Sequence, residues 1–348
     1  MAASEAGAIR EGEAQDWRRL AAWLRAHLRG LEGDPEPAQF HGGYANLTYL
    51  LRFGDEEIVV RRPPLGPVPR GAHDMGREHR VLSALAPHYD RAPRSLAFCD
   101  DPAVIGAPFL AMERRRGVVI RRRFPPELAG LPEVERRAAF ALIDALADLH
   151  ALDPARIGLG DLGRPEGFAE RQLSGWARRW EAAKDRDIPR FAAIHARLEA
   201  TRPAPMGAAV LHNDPKLDNC LFPPGAPDRA TTLLDWDMAT TGDPRFDLGI
   251  VLGYMTADRG AWGGMFSAEA VAGDFPENAE LADRWFARLG AAPTPIAWFE
   301  GFALWKTAVV LQQIYIRFLR GQTEDPRFEA LGARVPELIE KAAAAIRL

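Results

Sequence analysis

A chain of 348 residues with 47% hydrophobic and 26% charged side chains has the composition of a globular protein, long enough for two domains or one two-lobed unit. A formal net charge of −4 gives no reason to expect a nucleic-acid partner. Cys99 and Cys220, the two cysteines, lie far apart, which argues against a metal framework or a disulfide and fits a reducing compartment.

The opening MAASEAGAIREGEAQDWRRL lacks a basic flank followed by an apolar core, so no secretory leader is expected and the setting is read as cytoplasmic. The first dozen residues look frayed. Trp17, Leu20, Trp23, Leu24 and Leu28 then recur at helical spacing and predict a helix over 15–31. QFHGGYANLTYLLRF and EEIVVRRPP are two apolar runs of strand length about Gly54-Asp55, a hairpin expected to be slightly long or bulged at its turn. Gly42-Gly43 at its mouth would let backbone approach a ligand, or simply make a turn. Val59-Val60 runs into Arg61, and the next helical stretch, GREHRVLSALAPHY, carries Glu78. In a kinase a basic residue leaving this strand contacts the α- and β-phosphates and pairs with a helix glutamate. Residues 91–113 are strand-like runs broken by turns, with APFLAM the last strand of a small sheet and a hinge at Glu113 to Gly117. Arginines 114–116 and 121–123 form the basic cluster, which would meet an anionic substrate or nucleic acid, or form a solvated face, the reading preferred.

From Pro126 onward the pattern turns helical. PEVERRAAFALIDALADLHAL is apolar at helical offsets, and His150 at its end is expected to be buried or to cap. GLGDLG at 158–163 matches a dinucleotide fingerprint in letters but follows a helix rather than a strand, so it is set aside. One or two amphipathic helices with Trp176 and Trp180 are expected over 168–200. Further helices follow in 246–257, in ENAELADRWFARLG, in FEGFALWKTAVVLQQIYIRFLRG and in PELIEKAAAAIRL, with a loop rich in glycine and aromatics, Trp262 and Phe266 among them, over 260–277. Lys306 and Gln312-Gln313 keep the longest of these from reading as a membrane span, and no uncharged apolar run reaches about 18 residues.

The chemistry concentrates in LHNDPKLDNCLF and TTLLDWDMATTGDPRFDLG. The first offers Asp214, Lys216 and Asn219 within six residues; the second offers Asp235 after the apolar Leu233-Leu234 pair. That layout suits phosphoryl transfer. One Asp orients a hydroxyl and accepts its proton, while Asn219 and Asp235 offer the hard oxygens that magnesium prefers. Lys216 would neutralise charge on the transferred group. Asp237 would be an auxiliary contact, Asp243 and Asp247 would anchor the loop or cap the next helix, and His212 would hold the loop.

These two motifs resemble the aminoglycoside phosphotransferase/choline kinase-like family, relatives of protein kinases. GGYANLTYLLRF, VVRRPP, REHRVLSAL, APFLAMERRRG and LADLHAL look like its successive N-lobe and linker motifs, and FALWKTAVVLQQIYIRFLRGQTEDPRF looks like the branch also found joined to acyl-CoA dehydrogenases. The resemblance covers roughly residues 15–345. It implies an α+β, protein-kinase-like two-lobed fold. A nucleotide-binding lobe with a small antiparallel sheet and a helix would occupy 1–113, and the hinge and helical lobe with catalytic loop and substrate pocket 114–348. It implies ATP and Mg2+ and a small-molecule hydroxyl as acceptor; charge and the lack of a long apolar run already argue against a nucleic-acid or membrane partner. Carried over, Asp214 is the base with Lys216 and Asn219 beside it, and Asn219 and Asp235 are the metal ligands. Gly42, Gly43, Asn46, Arg61, Glu78, Met112, Glu113 and Arg115 contact the nucleotide, with Met112 as gatekeeper. The chain departs from the family at Asn213, where many members carry glycine, and at Arg61 in place of lysine.

The branch suggests a hydroxy acid or its coenzyme-A ester as acceptor. Alternatives are an ATP-binding pseudokinase with a regulatory role, and an aminoglycoside or choline-like amino-alcohol kinase. A protein kinase is disfavoured, because only seven residues separate Asp235 from Asp243, too few for a peptide-docking segment.

Overall fold

The computed structural model describes residues 6–42, 46–66, 73–121, 123–257, 261–262, 271–323 and 325–348. Gly43, Arg122, Phe266, the side chain of Trp262 and the first five residues lie outside the described residues. The chain folds as two compact units. Unit 1 comprises Met1–Val119, Pro125–Ala129 and Asn219–Ala239; unit 2 comprises Ile120–Phe124, Gly130–Asp218 and Thr240–Leu348.

Unit 1 is built on an antiparallel sheet of five strands, β1 (Glu36–Gln39), β2 (Leu47–Phe53), β3 (Glu56–Arg62), β4 (Ser95–Cys99) and β5 (Phe109–Glu113), in the order β1-β2-β3-β5-β4. β1 was not expected as a separate strand. It is short, lies at the sheet edge and contains Pro37, all of which weaken its signal. The β2–β3 turn corrects a second expectation. Phe53 pairs with Glu56, so Gly54 and Asp55 make a tight two-residue turn without a bulge. Gly54 takes φ +59°, which glycine adopts without a Cβ clash and which matches the twist of the flanking strands.

Alternation along the strands assigns the two faces. Tyr49, Leu51, Phe53, Ile58, Val60, Phe109 and Ala111 pack in one core with Leu20, Ala21 and Leu24 of α1 (Trp17–His27). The helix is shorter than its periodicity suggests because Leu28 turns to extended backbone. Arg61 is out of phase with Val60, so it falls on the opposite face of β3, with Val59 and, in register beside them, Leu110 and Met112. On α2 (Met75–Leu85) the residues Met75, Glu78, Val81, Leu82 and Leu85 are buried. A glutamate thus occupies a position in an apolar stripe, where only a partner makes it tolerable. Unit 1 also contains a ribbon of β7 (Cys220–Leu221) and β8 (Thr232–Leu233).

Unit 2 holds seven helices among the described residues: α3 (Val134–His150), α4 (Phe168–Ala183), α5 (Phe191–Ala200), α6 (Arg245–Ala257), α7 (Asn278–Leu289), α8 (Ala297–Leu319) and α9 (Leu331–Ala345). A ribbon of β6 (Ala209–Leu211) and β9 (Thr240–Gly242) accompanies them, and β10 (Ala261–Trp262) pairs with β11 (Val271–Ala272) in the segment expected to be loop. The core stacks Trp180 on Phe191 at 4.1 Å and gathers Phe246, Trp298, Phe299, Phe302 and Trp305. α6 and α8 approach closely because a Cβ at Gly249 would lie 2.6 Å from the Phe299 carbonyl oxygen, which no other residue permits. α9 starts five residues before the expected Pro336. Proline lacks the N–H that would reach the carbonyl four residues back. That carbonyl, on Gly332, accepts from the Arg186 guanidinium instead, so the helix continues through the proline.

Candidate active site

In unit 1 the predicted basic residue gathers acidic ones. Arg61 donates from Nη1 to Glu78 Oε1 at 3.0 Å and from Nη2 to Asp235, with Asp237 Oδ2 at 3.7 Å. Arg61 and Glu78 are 9% and 1% exposed, so this is a buried charge cluster. Burial opposes charge on Arg61, but Asp235, Glu78 and Asp237 outweigh it and push its pKa up. Burial likewise raises Glu78 to about 7, with Arg61 pulling the other way and Asp235 and Asp237 adding to the rise. Asp237 is raised by burial and by Asp235; it accepts from Asn46 Nδ2 at 3.1 Å, and the Asn46 carbonyl oxygen meets His73 Nδ1 at 2.8 Å.

Asn219 and Asp235 adjoin at one end of the β7–β8 ribbon. Cys220 pairs with Leu233, and the Leu234 N–H donates to the Asn219 carbonyl at 2.8 Å, continuing the ladder by one step. Asp235 then adopts φ +71°, a left-handed conformation rare for a residue with a Cβ. Such strain persists only where surrounding bonds hold it, here the Arg61 contact. Nearby, Met112 is buried on β5, and Glu113 is held by Arg94 Nε at 2.7 Å and Arg115 Nε at 2.6 Å. Arg116 pairs with Glu57 at 2.6 Å, and Arg114 lies 4.7 Å over the Phe40 ring. Those side chains of the 114–116 cluster are therefore already engaged within unit 1. Gly42 lies in a bend before β2.

In unit 2 the loop after β6 carries the other set. His212 is fully buried, and the backbone N–H groups of His212 and Asn213 donate to the two carboxylate oxygens of Asp247, at 2.6 and 2.8 Å. Asp247 Oδ2 also meets His150 Nε2 at 3.2 Å. Trp285 Nε1, a donor only, reaches His150 Nδ1 at 3.1 Å, so Nδ1 accepts and the proton sits on Nε2, facing Asp247. The expectation that His150 is buried and structural holds, as does the loop-anchoring role of Asp247. Asn213 adopts φ +65°, which asparagine tolerates better than most residues.

Clamped this way, the loop presents Asp214. Its Oδ2 lies 2.9 Å from Lys216 Nζ, and its Oδ1 accepts from the Tyr254 hydroxyl at 3.1 Å. Lys216 also lies 3.8 Å from Asp218. Burial works against the Lys216 charge, but Asp214 and Asp218 hold it well above the ordinary lysine value. Burial and the neighbouring Asp214 carboxylate keep Tyr254 protonated, hence a donor.

Two further residues had no site role assigned from the sequence. Tyr254 follows Asp247 by seven residues on α6, two helical turns and the same face, so the spacing contained the signal. Lys306 interrupts an apolar stretch of α8, where burial lowers its pKa while the charges of Asp214 and Asp247 counter that. Both cysteines are buried and free, as expected. No helix among the described residues is long and apolar enough to cross a membrane.

Residues 36–299 match the model of the phosphotransferase enzyme family. The chain is 30% identical over 347 residues to acyl-CoA dehydrogenase family member 11 of Gallus gallus, covering 96% of this chain and 44% of that protein. It thus spans less than half the length of that curated relative, whose name bears out the branch suggested by the tail. A Ralstonia eutropha protein with a provisional assignment as an aminoglycoside phosphotransferase superposes with a TM-score of 0.80 and 27% identity, over 96% of this chain and 99% of that one. A thermostable aminoglycoside phosphotransferase mutant in ternary complex with AMP-PNP and hygromycin B shares the fold, with a TM-score of 0.58 and 15% identity over 94% and 97% of the two chains. The α+β kinase-like architecture expected from the sequence is therefore established.

Proposed function

The chain belongs to the phosphotransferase enzyme family, and from that premise we propose that it moves the γ-phosphate of ATP to a hydroxyl of a small molecule, a hydroxy acid or its coenzyme-A ester. The observation that carries the reading is the Asp214 carboxylate, fixed by Lys216 at 2.9 Å and Tyr254 at 3.1 Å on a loop clamped by Asp247. A carboxylate so oriented accepts the acceptor's hydroxyl proton late in a loose transition state, in which positioning and charge stabilisation do most of the catalysis. Lys216 offsets charge on the transferred phosphoryl group.

Arg61, oriented by Glu78, takes the role of the lysine that usually meets the α- and β-phosphates; a guanidinium forks onto two oxygens where an ammonium is a point charge. Met112 and Glu113 line the adenine end, with Gly42, Gly43, Asn46 and Arg115 as further nucleotide contacts. ATP is supported by the AMP-PNP held by the aminoglycoside enzyme of the same fold. Asn219 and Asp235 fit magnesium: both offer hard oxygens, and the ladder bond from Leu234 to Asn219 keeps the two residues adjacent. Held there by Asn219 and Asp235, the ion would neutralise phosphate charge. The nucleotide's charge would then displace Arg61 from Asp235 toward the phosphates.

The test is magnesium-dependent ATP turnover over a panel of hydroxy acids, their coenzyme-A esters, choline-like amines, sugars and aminoglycosides. One acceptor class should raise turnover well above the water background, and Asp214→Asn should remove about 10²–10⁴ of that rate. Turnover with amines or aminoglycosides instead of acids would replace the acceptor class. No acceptor-dependent rate, with Asp214→Asn indistinguishable from the parent, would leave a nucleotide-binding pseudokinase.

A further inference from the structure

Helices α4 and α8 bring two cations to one aromatic ring. Lys306 Nζ lies 5.4 Å from the centre of the Trp176 ring, and the Arg179 guanidinium carbon lies 4.2 Å from the same ring. Trp176 is itself fixed, buried and donating from Nε1 to Gln172 at 3.0 Å. Cation–π attraction to a single ring is a weak counterweight to the repulsion that Arg179 adds at Lys306. Among the described residues, neither Lys306 nor Arg179 forms an ion pair or hydrogen bond with a carboxylate. The acidic groups whose charge reaches Lys306 are Asp214 and Asp247, and both are engaged elsewhere: Asp214 with Lys216 and Tyr254, Asp247 with the backbone of the loop and His150. Arg179 adds a repulsive charge, and burial of Lys306 makes its charge costlier still. A partly buried lysine without a carboxylate partner, with an exposed arginine on the same ring and the Asp214 charge within electrostatic reach, makes a place for a negative group that is not part of the protein.

We propose that Lys306 and Arg179, joined by the Trp176 ring, form the subsite that binds an anionic group of the phosphate acceptor, a carboxylate or a phosphate. The proposal rests on the reading of Asp214 as the base, whose loop the subsite adjoins. The planar guanidinium suits either anion bidentately, and the ammonium adds a second, adaptable charge. Two cations here disfavour a polycationic acceptor, which would meet charges of its own sign. The arginines at 114–116, by contrast, have their partners within unit 1.

Kinetics with three acceptors test it: a short hydroxy acid, its coenzyme-A ester and its neutral methyl ester. Lys306→Met keeps length and apolar packing while removing the charge, and Arg179→Gln removes a charge at an exposed position. Each should raise KM for a charged acceptor by roughly 10-fold or more, relative to the change for the methyl ester, with a smaller effect on kcat. Lys306→Arg should recover part of the loss. An effect confined to the free acid assigns the carboxylate; one confined to the coenzyme-A ester assigns the phosphates. KM changes equal across all three acceptors would overturn the subsite. A second measurement separates this proposal from the one beneath it: calorimetric binding of the acid and the coenzyme-A ester that lack the hydroxyl. That binding should weaken in Lys306→Met and Arg179→Gln whether or not Asp214 is the base, and unchanged binding in both variants would overturn the subsite independently of catalysis.

Discussion

Glu78 shows at the scale of one residue how burial shifts a carboxylate. Its folded pKa is raised to about 7 from 4.5, chiefly by burial. The sign follows from linkage: the folded chain holds this proton more tightly than the unfolded chain. Its contribution is therefore fully present below pH 4.5 and lost as pH rises through 7. At about 1.4 kcal/mol per pKa unit the loss is on the order of 3 kcal/mol. Glu78→Gln does not titrate, so its unfolding free energy relative to the parent should rise steadily between pH 4.5 and 7 in nucleotide-free protein. A difference that stays flat across that window in urea titrations would mean that Glu78 is not held in its protonated form. The same variant should bind nucleotide more weakly, because an amide oxygen holds the Arg61 guanidinium less firmly than the carboxylate it meets at 3.0 Å.

Among elements, the β6 loop depends on α6 more than on its own sequence. One carboxylate, Asp247, accepts two backbone N–H groups and faces a histidine whose tautomer is set by Trp285. Hydrogen bonds to a charged acceptor contribute about 1.5–3 kcal/mol each, and an amide in the same place cannot serve two N–H donors and a third group equally well. Asp247→Asn should therefore cost about 3 kcal/mol in urea unfolding and lower kcat more than KM for ATP. Full activity in a folded Asp247→Asn protein would show that the clamp does not orient Asp214. Helix packing accompanies the clamp: Gly249, two residues along α6, allows the close approach to α8, the helix that carries Lys306.

For the whole molecule, ligand binding and stability are linked. A nucleotide that binds only the folded chain stabilises it by about 2.7 kcal/mol at a concentration of 100 Kd. AMP-PNP with magnesium should raise the melting temperature more than AMP-PNP with EDTA. In Asp235→Asn the magnesium-dependent part of that rise should vanish while the nucleotide-dependent part remains. Equal shifts with and without magnesium in the parent would remove Asn219 and Asp235 from the metal-binding role. The chain spans 44% of the Gallus gallus relative, so the same measurement on a longer protein would also report on whatever adjoins this region there.

Local sequence determined a good deal. Period-2 and period-3.6 patterns located β2, β3, α2, α3 and the later helices, because burying one face of a strand or helix forces that spacing whatever lies opposite. The two acidic motifs suggested the proposed chemistry because phosphoryl transfer needs Asp, Lys and Asn close together on a loop, and such a loop is contiguous in sequence. Tertiary structure decided what those residues touch. The Arg61–Asp235 contact joins positions 174 apart, and Tyr254 reaches Asp214 across 40. No local periodicity encodes such pairs; they arise when separate elements bury their stripes and bring polar residues along. β1 gave little signal because four residues with a proline gain their stability from a neighbour's hydrogen bonds rather than from their own side chains. Lys306 and Arg179 lie 127 positions apart and meet only because α4 and α8 share Trp176, a pairing that side-chain packing, not sequence spacing, brings about.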